Sequence, residues 1–383
     1  MNILIDKKTP FGTEAFTHLG TVATLGSHEM TQEAVRDADV LIVRSETRVT
    51  RDLLEGSRVR FVGTTTIGTD HVDLDYLASR GIGFASAPGC NANSVKEYVV
   101  AALLTLAVRH GSSLRGKRLG IVGIGNIGSR MVEAAGALGM EVLQNDPPLQ
   151  RRTGEQRYVA LDDLMEADYI TLHVPLTKSG DDPTYHLFDK ERIGRMRKDS
   201  YLINTSRGAV VQTVAIKEAL AGKRIAGAVL DVWEKEPNID VELLKLVELA
   251  TPHIAGYSFD GKVNAVRMIA SAVCDHFECK EKWKVPTTIG MVPLPSVDLP
   301  ASPGGMEQDL LRVVSGCYDI ERDDARLHGI IDADSAQRGA YFSNLRAGYP
   351  LRREFSNTTV RTTGGASEIA ETLRKLGFVT AEQ

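Results

Sequence analysis

The feature that most constrains the fold is a glycine-rich turn between an apolar strand, predicted to end at Val122, and the helix predicted to follow it. Gly123, Gly125 and Gly128 have the G-x-G-x-x-G spacing. Gly123 permits a tight turn, Gly125 lets a pyrophosphate approach the backbone, and Gly128 lets the helix pack closely on the strand. The helix N-terminus then faces the phosphates, where its partial positive charge favours anions. The pattern predicts a dinucleotide-binding unit.

A carboxylate placed after the next predicted strand strengthens this prediction. That strand, Glu141 to Gln144, is followed by Asp146, at the position where an acidic side chain binds the ribose hydroxyls of adenosine. A carboxylate would repel a 2′-phosphate, which favours NAD over NADP, although Arg151 and Arg152 could weaken that preference. We expect the NAD contacts of this region to come from Gly123, Gly125, Asn126, Ile127, Gly128 and Asp146.

Length, charge and cysteine usage set broad limits on the protein. The 383 residues are enough for two or three domains, and the net charge of -5 gives no reason to expect nucleic acid or an anionic membrane as a partner. The most apolar stretch, Val99 to Val108, is too short to span a bilayer. The four cysteines are scattered without a C-x-x-C pair, so we expect a cytoplasmic protein with no metal site.

Short apolar strands alternate with helical stretches over residues 1–93 and again over residues 94–256. This alternation is typical of parallel sheets with crossover helices, so the predicted fold is α/β with two Rossmann-like, doubly wound domains. Ser94 and Glu97 have the spacing of a capping box, which predicts the start of a helix that links the two domains.

A proline-rich stretch marks the next predicted boundary. Five of the fourteen prolines lie between Pro286 and Pro303, a density that excludes a regular helix or a central strand. Beyond it, helical and strand patterns alternate again over a short length. Residues 286–383 are therefore predicted to form a small α/β module.

Three polar side chains each follow a predicted strand of the second domain. They are Arg207, Glu236 and His253. In a doubly wound sheet, ligands bind beyond the carboxyl ends of the strands, so these side chains are expected to face the bound nicotinamide. Asp231, in the same region, is expected to contact the cofactor or to hold its loop rather than to act as the base.

The chemistry of hydride transfer from a secondary alcohol explains why these residue types occur together. A base must take the hydroxyl proton, and His253 suits this role because histidine titrates near neutral pH. A neighbouring carboxylate, Glu236, would orient the ring and favour the imidazolium. Arg207 can bind a carboxylate bidentately and polarise the carbonyl as it forms. Each residue alone is more often structural, but together they favour a dehydrogenase site.

The sequence resembles the D-isomer-specific 2-hydroxyacid dehydrogenases over roughly residues 1–280. The matching segments are Gly123-Ile-Gly-Asn-Ile-Gly, His173-Val-Pro-Leu-Thr, Asn204-Thr-Ser-Arg-Gly-Ala and Asp231-Val-Trp-Glu-Lys-Glu-Pro. A narrower resemblance is to the branch that oxidises 4-phospho-D-erythronate at its 2-hydroxyl in vitamin B6 biosynthesis. It is carried by Thr66-Ile-Gly-Thr-Asp-His-Val-Asp, Ala250-Thr-Pro-His-Ile-Ala-Gly-Tyr-Ser-Phe-Asp-Gly-Lys and Tyr349-Pro-Leu-Arg-Arg-Glu-Phe.

The resemblance implies residue roles and a domain division. Arg207 and Glu236 would be active-site residues, and His253 the proton donor or acceptor. The NAD site would also include Thr177 or its neighbour Pro175, Ser206, Arg207, Asp231 and Gly256. Substrate would be contacted by Ser45, Thr66 and Tyr257. The implied domains are 1–93 with 257–285 for substrate, 94–256 for NAD, and 286–383 for homodimerisation.

A phosphorylated substrate also needs cationic partners. Arg44 is a candidate because it ends a predicted strand of the first domain, beside Ser45. Arg346, Arg352 and Arg353 form a second basic cluster, although such a cluster is more often a solvated face.

Two other functions stay open from the sequence alone. One is the same oxidation of a different 2-hydroxy acid, such as 3-phosphoglycerate; the C-terminal extension does not resemble a serine-binding regulatory domain, which disfavours it. The other is an NAD-sensing interaction protein on the same fold, which the absence of an obvious partner-binding tail disfavours.

Overall fold

The computed structural model describes residues 1–287, 289–299, 305–362 and 367–382. The chain divides into two compact units. Unit 1 comprises Met1–Asn91 and Ser258–Met291, and unit 2 comprises Ala92–Tyr257 and Val292–Gln383. The C-terminal residues, predicted as a separate module, here belong to the same compact unit as the glycine-rich turn. The roles predicted for the three domains stay predictions.

Unit 1 contains a five-stranded parallel sheet, which confirms the α/β class predicted for this part of the chain. Its strand order is β2-β1-β3-β4-β5, and every pairing is parallel. The strands are Asn2–Asp6 (β1), Thr21–Leu25 (β2), Val40–Val43 (β3), Phe61–Thr64 (β4) and Gly83–Ala85 (β5).

Unit 2 contains a six-stranded parallel sheet of order β11-β10-β9-β8-β6-β7 and a three-stranded parallel sheet of order β12-β13-β14. The larger sheet consists of Arg118–Val122 (β6), Glu141–Asn145 (β7), Tyr169–Leu172 (β8), Tyr201–Asn204 (β9), Gly227–Leu230 (β10) and Leu249–Ala250 (β11). The smaller one consists of Ser296–Leu299 (β12), Thr359–Thr362 (β13) and Val379–Glu382 (β14).

The register of the larger sheet places the ends of its strands level with one another. Leu172 is paired with Val122 on one side and with Asn204 on the other, and Asn204 is in turn paired with Leu230. Leu230 is paired with Ala250. The residues that follow β6, β8, β9, β10 and β11 therefore lie along one edge of the sheet, as the sequence predicted for the site.

Helices connect the strands of both units. They are Gly12–Phe16 (α1), Gln32–Val35 (α2), Arg51–Leu54 (α3), Leu74–Ser79 (α4), Ala92–Arg109 (α5), Asn126–Ala137 (α6), Pro147–Thr153 (α7), Lys190–Arg195 (α8), Thr213–Ala221 (α9), Val241–Leu244 (α10), Phe259–His276 (α11), Met306–Cys317 (α12), Ile320–His328 (α13), Arg338–Ala347 (α14) and Ser367–Leu376 (α15). Within the described residues, none of the helices has both the length and the apolar character that a membrane crossing needs.

The predicted capping box at Ser94 and Glu97 is wrong. Helix α5 begins at Ala92, so both side chains lie inside its first turns. Ser94 Oγ donates to the carbonyl oxygen of Ala255 at 3.0 Å, and Glu97 Oε1 accepts from the amide of Phe355 at 2.8 Å. Because α5 is buried on nearly every side, its polar groups bond to neighbouring segments instead of capping their own helix.

The proline-rich stretch contains one strand that the sequence did not predict. β12 lies at the edge of the three-stranded sheet and directly follows Pro295, whose carbonyl oxygen accepts from Thr359 at 2.9 Å. An edge position is where proline is compatible with a sheet, since one side of the strand needs no amide donor. Pro300 and Pro303, on which the predicted boundary also rested, lie outside the described residues.

The core of unit 2 includes the C-terminal residues. One buried cluster joins Tyr98 of α5 with Val314 of α12 and Phe355, all fully buried. A second cluster joins Leu230 and Trp233 with Phe342 of α14. The segment after residue 291 thus packs on the elements that carry the predicted NAD and catalytic residues.

Candidate active site

The glycine-rich turn has the geometry that a dinucleotide needs. Gly123 has a φ of 88°, in the left-handed region that favours glycine. A Cβ at Gly128 would lie 2.0 Å from the carbonyl oxygen of Gly123, so α6 packs against the turn as closely as glycine allows. A Cβ at Gly125 would meet nothing within 4 Å. The backbone at Gly125, at the N-terminus of α6, is therefore open to a phosphate.

Asp146 connects the end of β7 to this turn. Its Oδ2 accepts from the amide of Ile124 at 2.8 Å, and its Oδ1 accepts from the amide of Leu149 at 2.9 Å, which caps α7. These bonds fix the carboxylate beside the turn, where the sequence predicts a ribose contact. Arg151 pairs with Asp182 at the surface. The residues of this region fit an NAD whose ribose hydroxyls bind Asp146.

Glu236 and His253 form a hydrogen-bonded pair. His253 Nδ1 donates to Glu236 Oε2 at 2.8 Å, and Glu236 Oε1 accepts from the amide of Trp233 at 2.8 Å. Burial raises the pKa of Glu236, but the charge and hydrogen bond of His253 outweigh it and hold the pKa below its usual value. The carboxylate is thus ionised and fixes the imidazole ring.

The backbone at His253 is held in place by Asp231. The His253 residue has a φ of 58°, and its amide donates to the Asp231 carbonyl oxygen at 2.7 Å. The Asp231 carboxylate accepts from Thr251 Oγ1 at 2.6 Å and from the amides of Ile254 and Ala255 at 2.7 and 3.0 Å. Burial raises the pKa of Asp231. These contacts are those of a residue that holds its loop, one of the two roles predicted for Asp231.

Arg207 lies on the loop after β9, close to the loop that carries Glu236. A Cβ at the next residue, Gly208, would lie 1.9 Å from the carbonyl carbon of Trp233, so the two loops pack backbone to backbone. Asn204 orients this loop, since its Nδ2 donates to the Arg207 carbonyl oxygen at 3.0 Å and its Oδ1 accepts from the Ser206 amide at 3.0 Å. Arg207, Glu236 and His253 therefore lie on adjoining loops at one edge of the sheet.

The remaining predicted NAD residues occupy neighbouring loops of unit 2. Pro175 and Thr177 follow β8, where Thr184 Oγ1 donates to the Pro175 carbonyl oxygen at 2.5 Å and accepts from the Thr177 amide at 2.8 Å. Ser206 follows β9, and its hydroxyl donates to Asn204 at 2.8 Å. Gly256 lies in the turn closed by the bond from the Tyr257 amide to the Ile254 carbonyl oxygen at 2.8 Å.

The substrate residues predicted in the first domain lie beyond the strand ends of unit 1. Ser45 is exposed and follows Arg44 at the end of β3. Thr66 follows β4, and its hydroxyl is hydrogen-bonded to Thr64 Oγ1 at 2.8 Å. Lys262, in the first turn of α11, lies near Arg44: burial, and then the charge of Arg44, lower its pKa to about 8. Lys262 was not predicted as a site residue, although it ends one of the segments that carry the narrower resemblance.

Tyr257 contacts one member of the basic cluster predicted in the C-terminal module. Arg346 Nη2 donates to Tyr257 Oη at 3.1 Å. The solvated face expected for this cluster is wrong for the other two members. Arg352 is 4% exposed and donates to the carbonyl oxygens of Ser94 and Ala255, while Arg353 is 7% exposed and donates to Asn357 Oδ1 at 2.6 Å.

A second histidine–carboxylate pair in unit 2 was not predicted. His186 Nε2 donates to Glu234 Oε1 at 2.8 Å, and Glu234 Oε2 also accepts from the amide of Thr213 at 2.8 Å. Glu234 lies only two residues before Glu236. The sequence spacing therefore does not show which of the two glutamates is paired with a catalytic histidine. The sheet register favours His253 as the proposed base, because His253 follows β11 by three residues and so lies at the same edge of the sheet as the other predicted site residues.

Family comparisons agree with this geometry. Residues 93–255 match the NAD-binding domain of the D-isomer-specific 2-hydroxyacid dehydrogenases, and residues 291–377 match a domain described as of unknown function. Among solved structures, D-lactate dehydrogenase of Aquifex aeolicus, in complex with NAD and lactic acid, is 28% identical. The match covers 73% of this chain and 96% of that one, with a TM-score of 0.59. The NAD-dependent formate dehydrogenase of Staphylococcus aureus, with NAD bound, is 26% identical. That match covers 74% of this chain and 97% of the formate dehydrogenase chain, with a TM-score of 0.60.

Relatives that match nearly the whole chain share one name. Erythronate-4-phosphate dehydrogenase of Stutzerimonas stutzeri is 44% identical, over 98% of this chain and 99% of the relative. The protein of that name from Azotobacter vinelandii is 45% identical, over 98% of this chain and 99% of its own length. The one from Salinibacter ruber is 46% identical, over 96% of each chain.

Proposed function

Since this chain belongs to the erythronate-4-phosphate dehydrogenase family of D-isomer-specific 2-hydroxyacid dehydrogenases, we propose that it oxidises the 2-hydroxyl of 4-phospho-D-erythronate with NAD. The product is (R)-3-hydroxy-2-oxo-4-phosphobutanoate, in the biosynthesis of pyridoxal 5′-phosphate. The similarity of the relatives over both units favours this substrate over 3-phosphoglycerate. The hydrogen bond from His253 Nδ1 to Glu236 Oε2 carries the chemical part of the proposal, because a base held in this way serves an alcohol oxidation.

NAD is held by the loops at the edge of the six-stranded sheet. The open backbone at Gly125 and the N-terminus of α6 bind the pyrophosphate, and Asp146 binds the adenosine ribose. Pro175 or Thr177, Ser206, Asp231 and Gly256 complete the proposed site. When bound, NAD accepts the hydride from C2 of the substrate.

His253 takes the proton of the 2-hydroxyl. Its Nδ1 is engaged with Glu236, which leaves Nε2 as the atom that takes the proton as the hydride departs. The ionised Glu236 stabilises the positive charge that forms on the imidazole ring. The carboxylate also holds one ring orientation before substrate arrives, which reduces the entropy cost of reaching the transition state.

Arg207 binds the substrate carboxylate and polarises the carbonyl that develops at C2. A guanidinium offers two parallel donors in the geometry of a carboxylate. Asn204 and the close approach of Gly208 to Trp233 fix the Arg207 loop relative to the loop of Glu236. The proposal therefore gives Arg207 a positioning and electrostatic role, with Glu236 and His253 responsible for the proton.

Ser45, Thr66 and Tyr257 contact the rest of the substrate, and Arg44 binds its phosphate. The proximity of Lys262 to Arg44 supports the phosphate assignment, since two cations near one another favour a dianionic group. Arg44→Ala is expected to raise KM more for 4-phospho-D-erythronate than for D-erythronate, measured by steady-state kinetics. Equal effects on the two substrates would exclude this role for Arg44.

The proposal also includes a cytoplasmic homodimer in which residues 286–383 mediate association. The dimer is tested by light scattering on the purified protein, where a monomeric mass at micromolar concentration would contradict it.

The direct test of the function is NADH absorbance on mixing the protein and NAD with 4-phospho-D-erythronate, with a carbonyl reagent present to trap the product. Separate reactions contain 3-phosphoglycerate. We expect NADH with the four-carbon acid alone. Binding of NAD without turnover of either acid would contradict the proposed reaction.

A further inference from the structure

Arg346 lies beside the proposed active site, although it belongs to the C-terminal segment. It is half-buried near the end of α14. Its guanidinium is 5.7 Å from the ring centroid of Tyr257, and its Nη2 donates to the Tyr257 hydroxyl at 3.1 Å. Tyr257 is one of the predicted substrate contacts and follows His253 by four residues. The C-terminal segment thus presents a cation to the loop that carries the proposed base.

The Nε–H of Arg346 is a buried donor that has no hydrogen-bond partner among the described residues. A buried N–H without an acceptor is costly, and the cost is larger for a charged group. Arg192 and Arg352 also have a buried Nε without a hydrogen-bond partner among the described residues, but Arg346 alone of the three donates to Tyr257, a predicted substrate residue, where an anionic oxygen of a ligand would supply the acceptor. Nε and an Nη of one guanidinium together match two oxygens of a carboxylate or a phosphate.

Helix α14 is packed directly on the catalytic loop, which gives Arg346 a fixed position. A Cβ at Gly339 would lie 2.5 Å from Asn238 Oδ1 and 3.5 Å from Pro237 Cγ, and both residues lie within two positions of Glu236. Phe342, fully buried on the same helix, shares a core cluster with Trp233. Contacts at both positions hold the helix against the loop between β10 and β11.

The charge of Arg346 reaches Glu236. Burial raises the pKa of that carboxyl, whereas His253, the Trp233 amide and, to a smaller extent, the positive charge of Arg346 lower it. Arg346 and the Glu236–His253 pair therefore belong to one electrostatic environment within unit 2.

We propose that Arg346 is a further substrate-binding residue, and that its guanidinium binds an anionic oxygen of the substrate beside Tyr257. The inference rests on the proposed function, because it takes the anion to be the phosphate or the carboxylate of the same 2-hydroxy acid. It also assigns a chemical role to the segment matched by the domain of unknown function: α14 completes the substrate site.

The test compares Arg346→Gln and Arg346→Lys with the native protein in steady-state kinetics. Arg374→Gln is the matched control, since Arg374 is an exposed arginine of the same segment, paired with Glu371 on its own helix. We expect Arg346→Gln to raise KM and to lower kcat/KM by about 10- to 100-fold. Arg346→Lys should recover part of the loss, and Arg374→Gln should change neither constant.

The two possible anions are separated by repeating the kinetics with D-erythronate. A loss confined to 4-phospho-D-erythronate identifies the phosphate as the partner, and an equal loss with both substrates identifies the carboxylate; both results support binding by Arg346. A fall in kcat with a shifted pH profile and unchanged KM would overturn it, because Arg346 would then act only through Glu236. Unchanged kinetics in Arg346→Gln would also overturn it.

A binding measurement separates this inference from the proposed reaction. Calorimetric titration of the NADH-bound protein with inorganic phosphate and with D-erythronate needs no turnover. At least one of these anions should bind the native protein about tenfold or more tightly than it binds Arg346→Gln, even if 4-phospho-D-erythronate is not oxidised. Equal affinities for both proteins would overturn the role of Arg346, whatever the substrate.

Discussion

At the scale of single residues, the two histidine–glutamate pairs of unit 2 differ in what surrounds them. His253 follows β11 and is bonded to Glu236, on the loop next to Arg207, whereas His186 is bonded to Glu234, which also accepts from the Thr213 amide. Both pairs have a distance of 2.8 Å, so distance alone does not identify the base. The position of His253 after β11, beside the loop of Arg207, is what favours it as the proposed base.

Replacement of each histidine tests this assignment. His253→Ala is expected to bind NAD normally but to lose about 10²- to 10⁴-fold in kcat, the usual contribution of a positioned acid or base. His186→Ala serves as the control and should retain kcat within a few-fold. Turnover of both variants and NADH fluorescence on binding are the measurements. If His186→Ala lost the larger factor, the catalytic pair would be His186 with Glu234.

His173 gives a prediction about pH. Its imidazole is half-buried and hydrogen-bonded to Thr171 at 3.0 Å and to Thr205 at 3.3 Å, and the loss of solvation lowers its pKa from 6.5 to about 3. Below pH 6.5 the unfolded chain takes up a proton that the folded chain does not, so the folding stability falls as pH decreases from 6.5 toward 3.

His173→Gln should remove this part of the pH dependence. The loss of unfolding free energy between pH 7 and pH 5 should be smaller in the variant by about 1–2 kcal/mol, measured by urea denaturation at both pH values. The exposed His28 provides the control, and His28→Gln should leave the difference between the two pH values unchanged. An unaltered pH dependence in His173→Gln would mean that the ring is protonated in the folded protein.

Three residues of the candidate site could be predicted from the sequence, because each of them follows a predicted strand. Arg207, Glu236 and His253 were predicted in this way, and the structure places them on adjoining loops; their catalytic roles stay predictions. No role could be predicted from the sequence for Lys262, and Arg346 could be named only as one member of a basic cluster of three. A role for Lys262 depends on the electrostatic interaction that the fold creates between Lys262 and Arg44. A role for Arg346 depends on the packing of α14 on the loop after β10.

At the scale of elements, helix α6 contains two glycines with opposite constraints. A Cβ at Gly128 would be 2.0 Å from the Gly123 carbonyl oxygen, whereas a Cβ at Gly136 would meet nothing within 4 Å. Gly128→Ala should therefore displace the helix from the turn, lower the melting temperature and weaken NAD binding. Gly136→Ala should stabilise the protein by about 0.5–1 kcal/mol, because alanine loses less conformational entropy in a helix.

Calorimetry of both variants, with and without NAD, checks this contrast. Normal NAD affinity in Gly128→Ala would show that the turn can relax without moving the phosphate site. A destabilised Gly136→Ala would show that this face of α6 has contacts that the described residues do not account for.

The ends of helices and strands are less reliably predicted from the sequence than the elements themselves. Strand β6 and helix α6 follow local signals, an apolar run and a glycine turn, and they lie where the sequence predicts. The capping box at Ser94 and Glu97 has an equally clear local signal and is wrong, because tertiary partners at Ala255 and Phe355 bind both side chains. A helix cap is a local interaction between a side chain and its own backbone. Because α5 is buried, Ser94 and Glu97 form hydrogen bonds with residues far away in the sequence.

At the scale of the whole molecule, the sequence predicts the two large parallel sheets, and the structure confirms them. The relation of residues 292–383 to the rest was beyond a pattern-based prediction, since it depends on contacts far apart in the sequence. Arg352 makes one such contact: it lies 3.8 Å from the ring centroid of Tyr318 and donates to Ser94 and Ala255 of the NAD-binding segment. The C-terminal segment is thereby tied to the backbone beside Gly256.

Arg352 also lies beside a buried acid, Glu97. Its Nη2 is 3.8 Å from Glu97 Oε2, and both side chains are almost fully buried, at 3% and 2% exposure. Burial, and then the charge of Glu354, raise the pKa of Glu97 to about 8, although the charge of Arg352 opposes this shift. Glu97 is therefore mostly protonated at neutral pH, and the loss of Arg352 acts through its buried hydrogen bonds to the carbonyl oxygens of Ser94 and Ala255. Hydrogen bonds from a charged donor contribute about 1.5–3 kcal/mol each.

Arg352→Met loses both hydrogen bonds and is therefore expected to lose about 3–5 kcal/mol of unfolding free energy at neutral pH, measured by urea denaturation. Arg361→Met is the matched control, because Arg361 belongs to the same segment but forms an exposed pair with Asp298, at 44% and 66% exposure. Pairs of that kind contribute about 1 kcal/mol or less. Arg352→Met should also weaken NAD binding, since Arg352 holds the Ala255 carbonyl next to Gly256. Equal losses in the two variants would mean that the C-terminal segment is joined to the NAD-binding segment by apolar packing alone.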